Sequence, residues 1–230
     1  MILAAGLGTR MRPLTDDLPK PLVRVNGTAL IDHALGRLRA AGVKDTVVNV
    51  HYQADKLQAH LKKIKSPKVT ISDERSELLE TGGGVAKALS KLGEMPFFVV
   101  NTDSLWTEST VPALTSLKNA WDDETMDGVL LLAPTVSSLG YSGNGDFNMD
   151  PDGNITWRGE RKIAPFVFTG AYILHPRLFK GAPKGKFSMN LLFDKAIKAK
   201  RLKGVRHDSL WIEINTPQAV DTASAVLADL

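Results

Sequence analysis

Residues 3–22 read Leu-Ala-Ala-Gly-Leu-Gly-Thr-Arg-Met-Arg-Pro-Leu-Thr-Asp-Asp-Leu-Pro-Lys-Pro-Leu. Residues 1–5 form an apolar run suited to a short buried strand. A glycine loop behind a strand suggests a phosphate cradle, because glycine lets backbone N–H groups close around an anion. Two familiar cradles do not fit. The loop lacks the Gly-x-x-x-x-Gly-Lys-Ser/Thr pattern, and Gly6-Leu7-Gly8-Thr9-Arg10 is followed by Met11 where a dinucleotide fingerprint needs glycine. Pro13, Pro19 and Pro21 also bar a helix until about residue 29. The stretch is therefore a long wrapping loop carrying Arg10, Arg12 and Lys20. Those cations suit a polyphosphate; the plainer alternative is a βα connection whose glycines serve only turns.

Outward from the loop, strands and helices alternate. Leu30, Ile31, Ala34, Leu35 and Leu38 recur at helical spacing up to Gly42. Residues 46–50 are β-branched and strand-like, Leu57, Leu61 and Ile64 mark a helix stopped by Pro67, and 69–71 is a strand. A glycine run at 82–84 precedes a helix expected from Val85 to Leu92. Strands at 97–100 and 129–132 flank a helix over about 110–121. This alternation predicts an α/β fold: a Rossmann-like, mixed, mostly parallel sheet with helices on both faces. Ligands of such sheets bind at the carboxyl ends of strands, which selects the loops after residues 5, 72, 100 and 132. Past residue 140 turn chemistry dominates, with Asp152-Gly153 predicting a hairpin. A strong strand at 166–175, a helix at 188–200, strands at 202–207 and 210–214, and a helix at 217–230 complete the pattern. With no Pro- or Ser-rich linker, residues 1–230 are expected to form one domain: a nucleotide-binding part (1–135) and a small α+β extension (136–230). No hexapeptide repeat of a C-terminal β-helix follows.

The chain of 230 residues is 43% apolar and 23% charged, with a net charge of +4. That is an ordinary globular composition with room for a sizeable core. No apolar run reaches the ~18 residues of a membrane span, and no basic leader precedes the opening residues. The absence of cysteine rules out disulfides, thiolate nucleophiles and Cys-based zinc sites. A cytoplasmic protein is the simplest reading. Lysines cluster at 56–68 and 195–206, at or after helical patterns, where solvated cations are expected. Without aromatic interleaving or a docking motif they do not indicate nucleic acid. The five histidines are scattered, none paired at metal spacing, and are expected to pack or face solvent.

The opening stretch, with residues 19–35 (PKPLVRVNGTALIDHAL), resembles the motif of the sugar-1-phosphate nucleotidylyltransferases. Further resemblance lies in LETGGG (79–84), VVNTDSLW (99–106), GNGDF (143–147), FTGAYILHP (168–176) and LWIEINTPQAV (210–220). It covers nearly the whole chain and is greatest to short members without a β-helix: N-acetylmuramate-1-phosphate uridylyltransferases above all, then mannose-1-phosphate guanylyltransferase-like enzymes.

The resemblance implies Mg2+-dependent transfer of a nucleotidyl group from a nucleoside triphosphate, UTP first, to a sugar 1-phosphate, with release of pyrophosphate. Two polyanions must be neutralised and aligned, and the attacking phosphate needs no general base. By resemblance, Arg10 and Lys20 are the catalytic cations. Leu3, Ala4, Ala5, Gly6, Gly8, Thr9 and Arg12 hold the triphosphate, while Glu80 and Gly84 meet base and ribose. Gly145, Asp146, Glu160, Thr169 and Gly170 bind the sugar, and Asp103 and Glu213 the metal. Phe166, Phe168 and Tyr172 are expected in the core. The chain departs from the family's Trp-x-Asp-(Ile/Val)-Gly-Thr: Glu213 replaces the aspartate and Asn215 the glycine. Asparagine tolerates a left-handed backbone next best to glycine, so the turn is expected to survive. Thr102 likewise replaces the glycine of Asn-Gly-Asp. GTP with mannose 1-phosphate, CTP with a phosphorylated alcohol, and a nucleotide-sugar-binding regulatory protein remain as alternatives. A monomer or small homo-oligomer is expected.

Overall fold

The computed structural model describes residues 1–160 and 162–228. Its first part runs β1 (Ile2–Leu3), β2 (Arg24–Val25), β3 (Thr28–Ala29), α1 (Leu30–Ala40), β4 (Asp45–Val50), α2 (Ala54–Leu61), β5 (Lys68–Asp73), α3 (Glu80–Leu92), β6 (Phe97–Asn101) and β7 (Ser104–Trp106). There follow α4 (Ala113–Ala120), β8 (Gly128–Pro134), β9 (Phe147–Met149), β10 (Ile155–Trp157), β11 (Phe166–Leu174), α5 (Asn190–Lys198), β12 (Leu202–Arg206), β13 (Trp211–Glu213) and α6 (Pro217–Ala228). Residues 229 and 230, the end of the expected closing helix, lie outside the described residues.

β1 sits between β4 and β6, parallel to both, with Ile2 opposite Val48 and Val100; β5 extends the parallel half. β11 turns the sheet antiparallel beside β6, pairs along its other edge with β8, and meets the β9–β10 hairpin at Phe166. β12 runs parallel to β8. The sheet is thus mixed, with its parallel strands ending at the opening loop.

Strand alternation explains why apolar runs fill these strands. In β8, Val129 and Leu131 face the layer of α1, α2 and α4, whereas Leu130 and Leu132 face α3 and α5. Phe168, Tyr172 and Phe193 meet edge to face within the second layer, so these aromatics are core, as expected. A third, smaller cluster joins Met11 of the opening loop to Leu105 on β7, Ile212 and Ile214 at β13, and Ala223 of α6. It ties the loop to the β7–β13 ribbon.

Three elements differ from expectation, among them the short strand β7, which no pattern in the sequence marks. α3 begins at Glu80, so Gly82–Gly84 form its first turns and are not a loop ahead of it. Helix propensity argues against three glycines there, but tertiary packing reverses the preference. A methyl on Gly82 would overlap the Phe187 ring and one on Gly83 the Gly185 carbonyl, while both amides donate to the Phe187 carbonyl at 3.0 Å. The third is the β2–β3 hairpin, unread in the sequence, whose turn is Asn26-Gly27 with φ of 48° and 75°.

Candidate active site

A cleft of about 430 Å³ opens at the carboxyl ends of β1, β4 and β6. Three of the four expected loops contribute to it; the loop after β8 instead packs Gly140 against the Glu213 carbonyl. Leu3, Ala4, Ala5, Gly6, Gly8, Thr9 and Arg10 line one wall. Gly8 has φ of +66°, and a Cβ there would stand 3.0 Å from Lys20 Cβ, so glycine lets the loop's two arms touch. The Thr15 hydroxyl fastens them by donating to the Gly8 carbonyl at 2.8 Å. Nothing lies within 4 Å of a Cβ built on Gly6, which faces open space. Arg12 points away: its side chain is 62% exposed and pairs with Asp16 at 3.3 Å.

Asp103 and Asn215 line the cleft across from the loop; Glu213 does not line it but lies close enough for the charge of Asp103 to act on it. β7 and β13 pair antiparallel with Glu213 opposite Ser104, and the Ile214 amide donates to the Asp103 carbonyl at 2.8 Å. This short ribbon brings together two acids more than a hundred residues apart in sequence. Burial, and next the charge of Asp103, push the Glu213 carboxyl above the ordinary glutamate range, against the pull of Arg10, Lys20 and the Asn215 side chain. Lys20 reaches across from the loop: its Nζ donates to Asp103 Oδ2 at 3.0 Å and Asn215 Oδ1 at 2.6 Å. Asn215 is not among the four non-glycine residues with positive φ in the described chain. The left-handed turn expected there does not form; the asparagine uses its side chain instead.

At the third side, Glu80 and Thr81 of α3 line the cleft, Glu80 with φ of +60° and an ion pair to Lys186 at 3.5 Å. Gly84 lies deeper. It is buried in α3, and a Cβ on it would stand 2.9 Å from Glu74 Oε1 and 3.0 Å from Asn49 Nδ2. Those two side chains form a buried relay. The Ala4 amide donates to Asn49 Oδ1 at 2.7 Å, and Asn49 Nδ2 donates to Glu74 Oε1 at 2.8 Å. Burial pushes the Glu74 carboxyl up, while hydrogen bonds from Asn49 and the Leu79 amide oppose it. The relay joins the start of the loop to the start of α3. Only spatial contact reveals it; no local pattern marks Asn49 or Glu74.

The residues expected around a sugar gather beside the β7–β13 ribbon. Gly145 has φ of +76°, and a Cβ there would overlap the Ala164 carbonyl; its amide donates to the Tyr141 hydroxyl at 3.0 Å. Asp146 Oδ2 accepts from the Phe168 amide at 2.8 Å, and burial pushes its carboxyl up. Tyr141 connects this region to the acids: burial and then Asp146 and Glu213 push its hydroxyl up. Thr169 is buried, its hydroxyl donating to the Leu131 carbonyl at 2.9 Å, and its own carbonyl accepts from Ser104 and Trp211. Gly170, with φ of +80°, packs against Asn101 of the cleft, where a Cβ would come within 2.8 Å of Nδ2. Glu160 sits in an exposed turn after β10 and does not line the cleft. Among the described residues no group of three His, Cys, Asp or Glu could hold a metal, and no helix is long and apolar enough to cross a membrane.

A glycine loop at a sheet end, cations on its two arms and a facing acid pair define a nucleotide-handling transferase. The chain belongs to the nucleotidyl transferase family, whose model matches residues 1–225. It is 48% identical to N-acetylmuramate alpha-1-phosphate uridylyltransferase of Caulobacter vibrioides, an alignment covering 100% of this chain and 96% of that protein. The protein of the same name from Neisseria meningitidis is 34% identical, covering 98% and 96%. Among solved structures, an apo UDP-glucose pyrophosphorylase shares the fold with a TM-score of 0.82 at 15% identity, covering 99% and 97%.

Proposed function

We propose that this chain joins UTP to N-acetylmuramate 1-phosphate, giving the UDP-sugar and pyrophosphate. Its support is the full-length similarity to two proteins named for that activity, together with the cleft. The observation that carries it is Lys20, held between Asp103 and Asn215 on the floor of that cleft. An ammonium so placed lies where the α-phosphate and the incoming phosphate must meet.

In this reading a sugar-phosphate oxygen attacks the α-phosphorus, the new P–O bond forms in line, and the bond to the β-phosphate oxygen breaks with its electrons leaving on pyrophosphate. Loop residues from Leu3 to Thr9 cradle the triphosphate, with the Ala4 amide committed to Asn49, and Arg10 neutralises the leaving pyrophosphate. Lys20 binds the charge that gathers at the reacting phosphoryl group. Glu80 and Thr81 face the base, with Gly84 supporting from behind. Gly145 and Asp146 meet the sugar beside Tyr141, and Thr169 and Gly170 shape the wall there.

Asp103 and Glu213 would hold a divalent cation, Mg2+ in this proposal. The fit rests on the donor set: the β7–β13 pairing sets Glu213 beside Asp103, two carboxylates so placed gain from a shared cation, and Mg2+ takes few protein acids besides phosphate oxygens. Bound there, it would neutralise triphosphate charge.

Pyrophosphate release should be measured with each of the four nucleoside triphosphates against N-acetylmuramate, mannose and glucose 1-phosphates. Fastest turnover with UTP and the muramate is expected. A preference for another pair would replace the substrate assignment, and nucleotide binding without release would overturn the catalytic one.

A further inference from the structure

Asn215 stands at the centre of the cleft floor, only 4% exposed. Its place is fixed from both sides: Ile214 before it is fully buried and hydrogen-bonded to the Asp103 carbonyl, and the Thr216 hydroxyl after it caps α6 by accepting from the Ala219 amide. Because its backbone φ is not positive, conformational tolerance does not explain the asparagine. Its side-chain oxygen lies 2.6 Å from Lys20 Nζ, shorter than the 3.0 Å from Nζ to Asp103.

An ammonium has three N–H donors. Lys20 spends one on Asp103 and one on Asn215, which leaves the third for an anion. Its side chain is only 12% exposed, and its Cβ is packed against Gly8, so the two acceptors settle where the charge points. They are not equivalent. Asp103 is also the acid assigned to the cation, and its oxygens are divided between two positive charges. Asn215 is neutral, a far weaker cation ligand than a carboxylate, and so gives Lys20 an anchor of its own.

We propose that Asn215 is a positioning residue, its side-chain oxygen aiming the Lys20 ammonium at the reacting phosphate. This rests on the nucleotidyl-transfer reading above. Turnover with UTP, N-acetylmuramate 1-phosphate and Mg2+ should be compared for the wild type, Asn215→Ala, Asn215→Asp, Lys20→Ala and the Lys20→Ala/Asn215→Ala pair. Asn215→Ala is expected to lower kcat about 10–100-fold with KM for UTP within about threefold, the mark of lost aim and not lost binding. Asn215→Asp, isosteric but charged, is also expected to be slow, because it adds a carboxylate beside Asp103 and Glu213 that competes for the cation and repels phosphate. In the Lys20→Ala background Asn215→Ala should change kcat several-fold less than in the wild type, since Lys20 is gone and only the bond to Glu213 is left to lose. Equal slowing in both backgrounds, or an aspartate variant as fast as the wild type, overturns the proposal. A second readout needs neither substrate nor metal: 15N relaxation of Lys20 Nζ should show a more mobile ammonium in Asn215→Ala. Unchanged order there also overturns it. A wild type that turns over no substrate pair would sink the transfer reading, while the relaxation experiment still decides the role of Asn215.

Discussion

Glycines in α1 and α3 allow one substitution to be given opposite signs at two helical sites. An alanine in a helix interior is ordinarily worth about 1 kcal/mol over glycine. Gly36 in α1 has nothing within 4 Å of its virtual Cβ, so Gly36→Ala should realise most of that gain. At Gly83 the same methyl would overlap the Gly185 carbonyl, a backbone atom that cannot swing aside. Overpacking of this kind costs about 1–3 kcal/mol. Displacing residues 185–187 also strains the two 3.0 Å bonds from Gly82 and Gly83 to the Phe187 carbonyl, each worth about 1 kcal/mol. Less the helix-propensity gain, Gly83→Ala should destabilise by about 2–3 kcal/mol. For a chain of this size that lowers Tm by about 5–10 °C, whereas Gly36→Ala should raise it by about 1–4 °C. Thermal unfolding followed by circular dichroism measures both. If Gly83→Ala matched or exceeded the wild type in Tm, the close approach of 185–187 to α3 would be wrong, and with it the account of why a helix begins in a glycine run.

Glu213→Gln should abolish turnover yet raise Tm at pH 7 in metal-free buffer. A carboxyl whose folded pKa is raised contributes stability that is complete below its unfolded pKa and is lost as pH rises through the folded value. The gain from glutamine should therefore shrink as pH falls toward 4; a gain that grew instead would contradict the assigned crowding by burial and Asp103. Arg10→Ala and Arg12→Ala should separate sharply. Arg12 is exposed and pairs with Asp16 at the surface, so its loss should leave kcat/KM within about threefold and Tm nearly unchanged. Arg10 lines the cleft, and its loss should cost about a hundredfold in kcat/KM. Equal effects on turnover would dissolve the distinction drawn between them.

Much of this organisation could be read along the chain because its cause is local. Strand alternation, helical spacing, the prolines behind Arg10 and the Asp152-Gly153 turn each act within a few residues. So β1, α1, β4, β6, β8 and β11 fall where expected, and the opening loop lines a cleft at the sheet's carboxyl end. What escaped depends on distance. The start of α3 is decided by residues 185–187, about a hundred positions away, and no helix propensity foretells it. β7 is three residues long and exists because β13 pairs with it. Asn26-Gly27 was a visible turn signal, but flanking strands of two residues are too short to show alternation. At Asn215 the type of residue invited a backbone explanation, while the true partner, Lys20, lies 195 positions earlier.

The wall against which Met11 rests joins β7, midway along the sequence, to β13 and α6 far downstream. During synthesis the opening loop is therefore made well before β13, the strand whose neighbours seat that loop through Met11. Until residue 215 emerges, Lys20 has no asparagine to meet and Asp103 faces no second carboxylate. A chain cut short before the ribbon closes would be left with an unanchored loop.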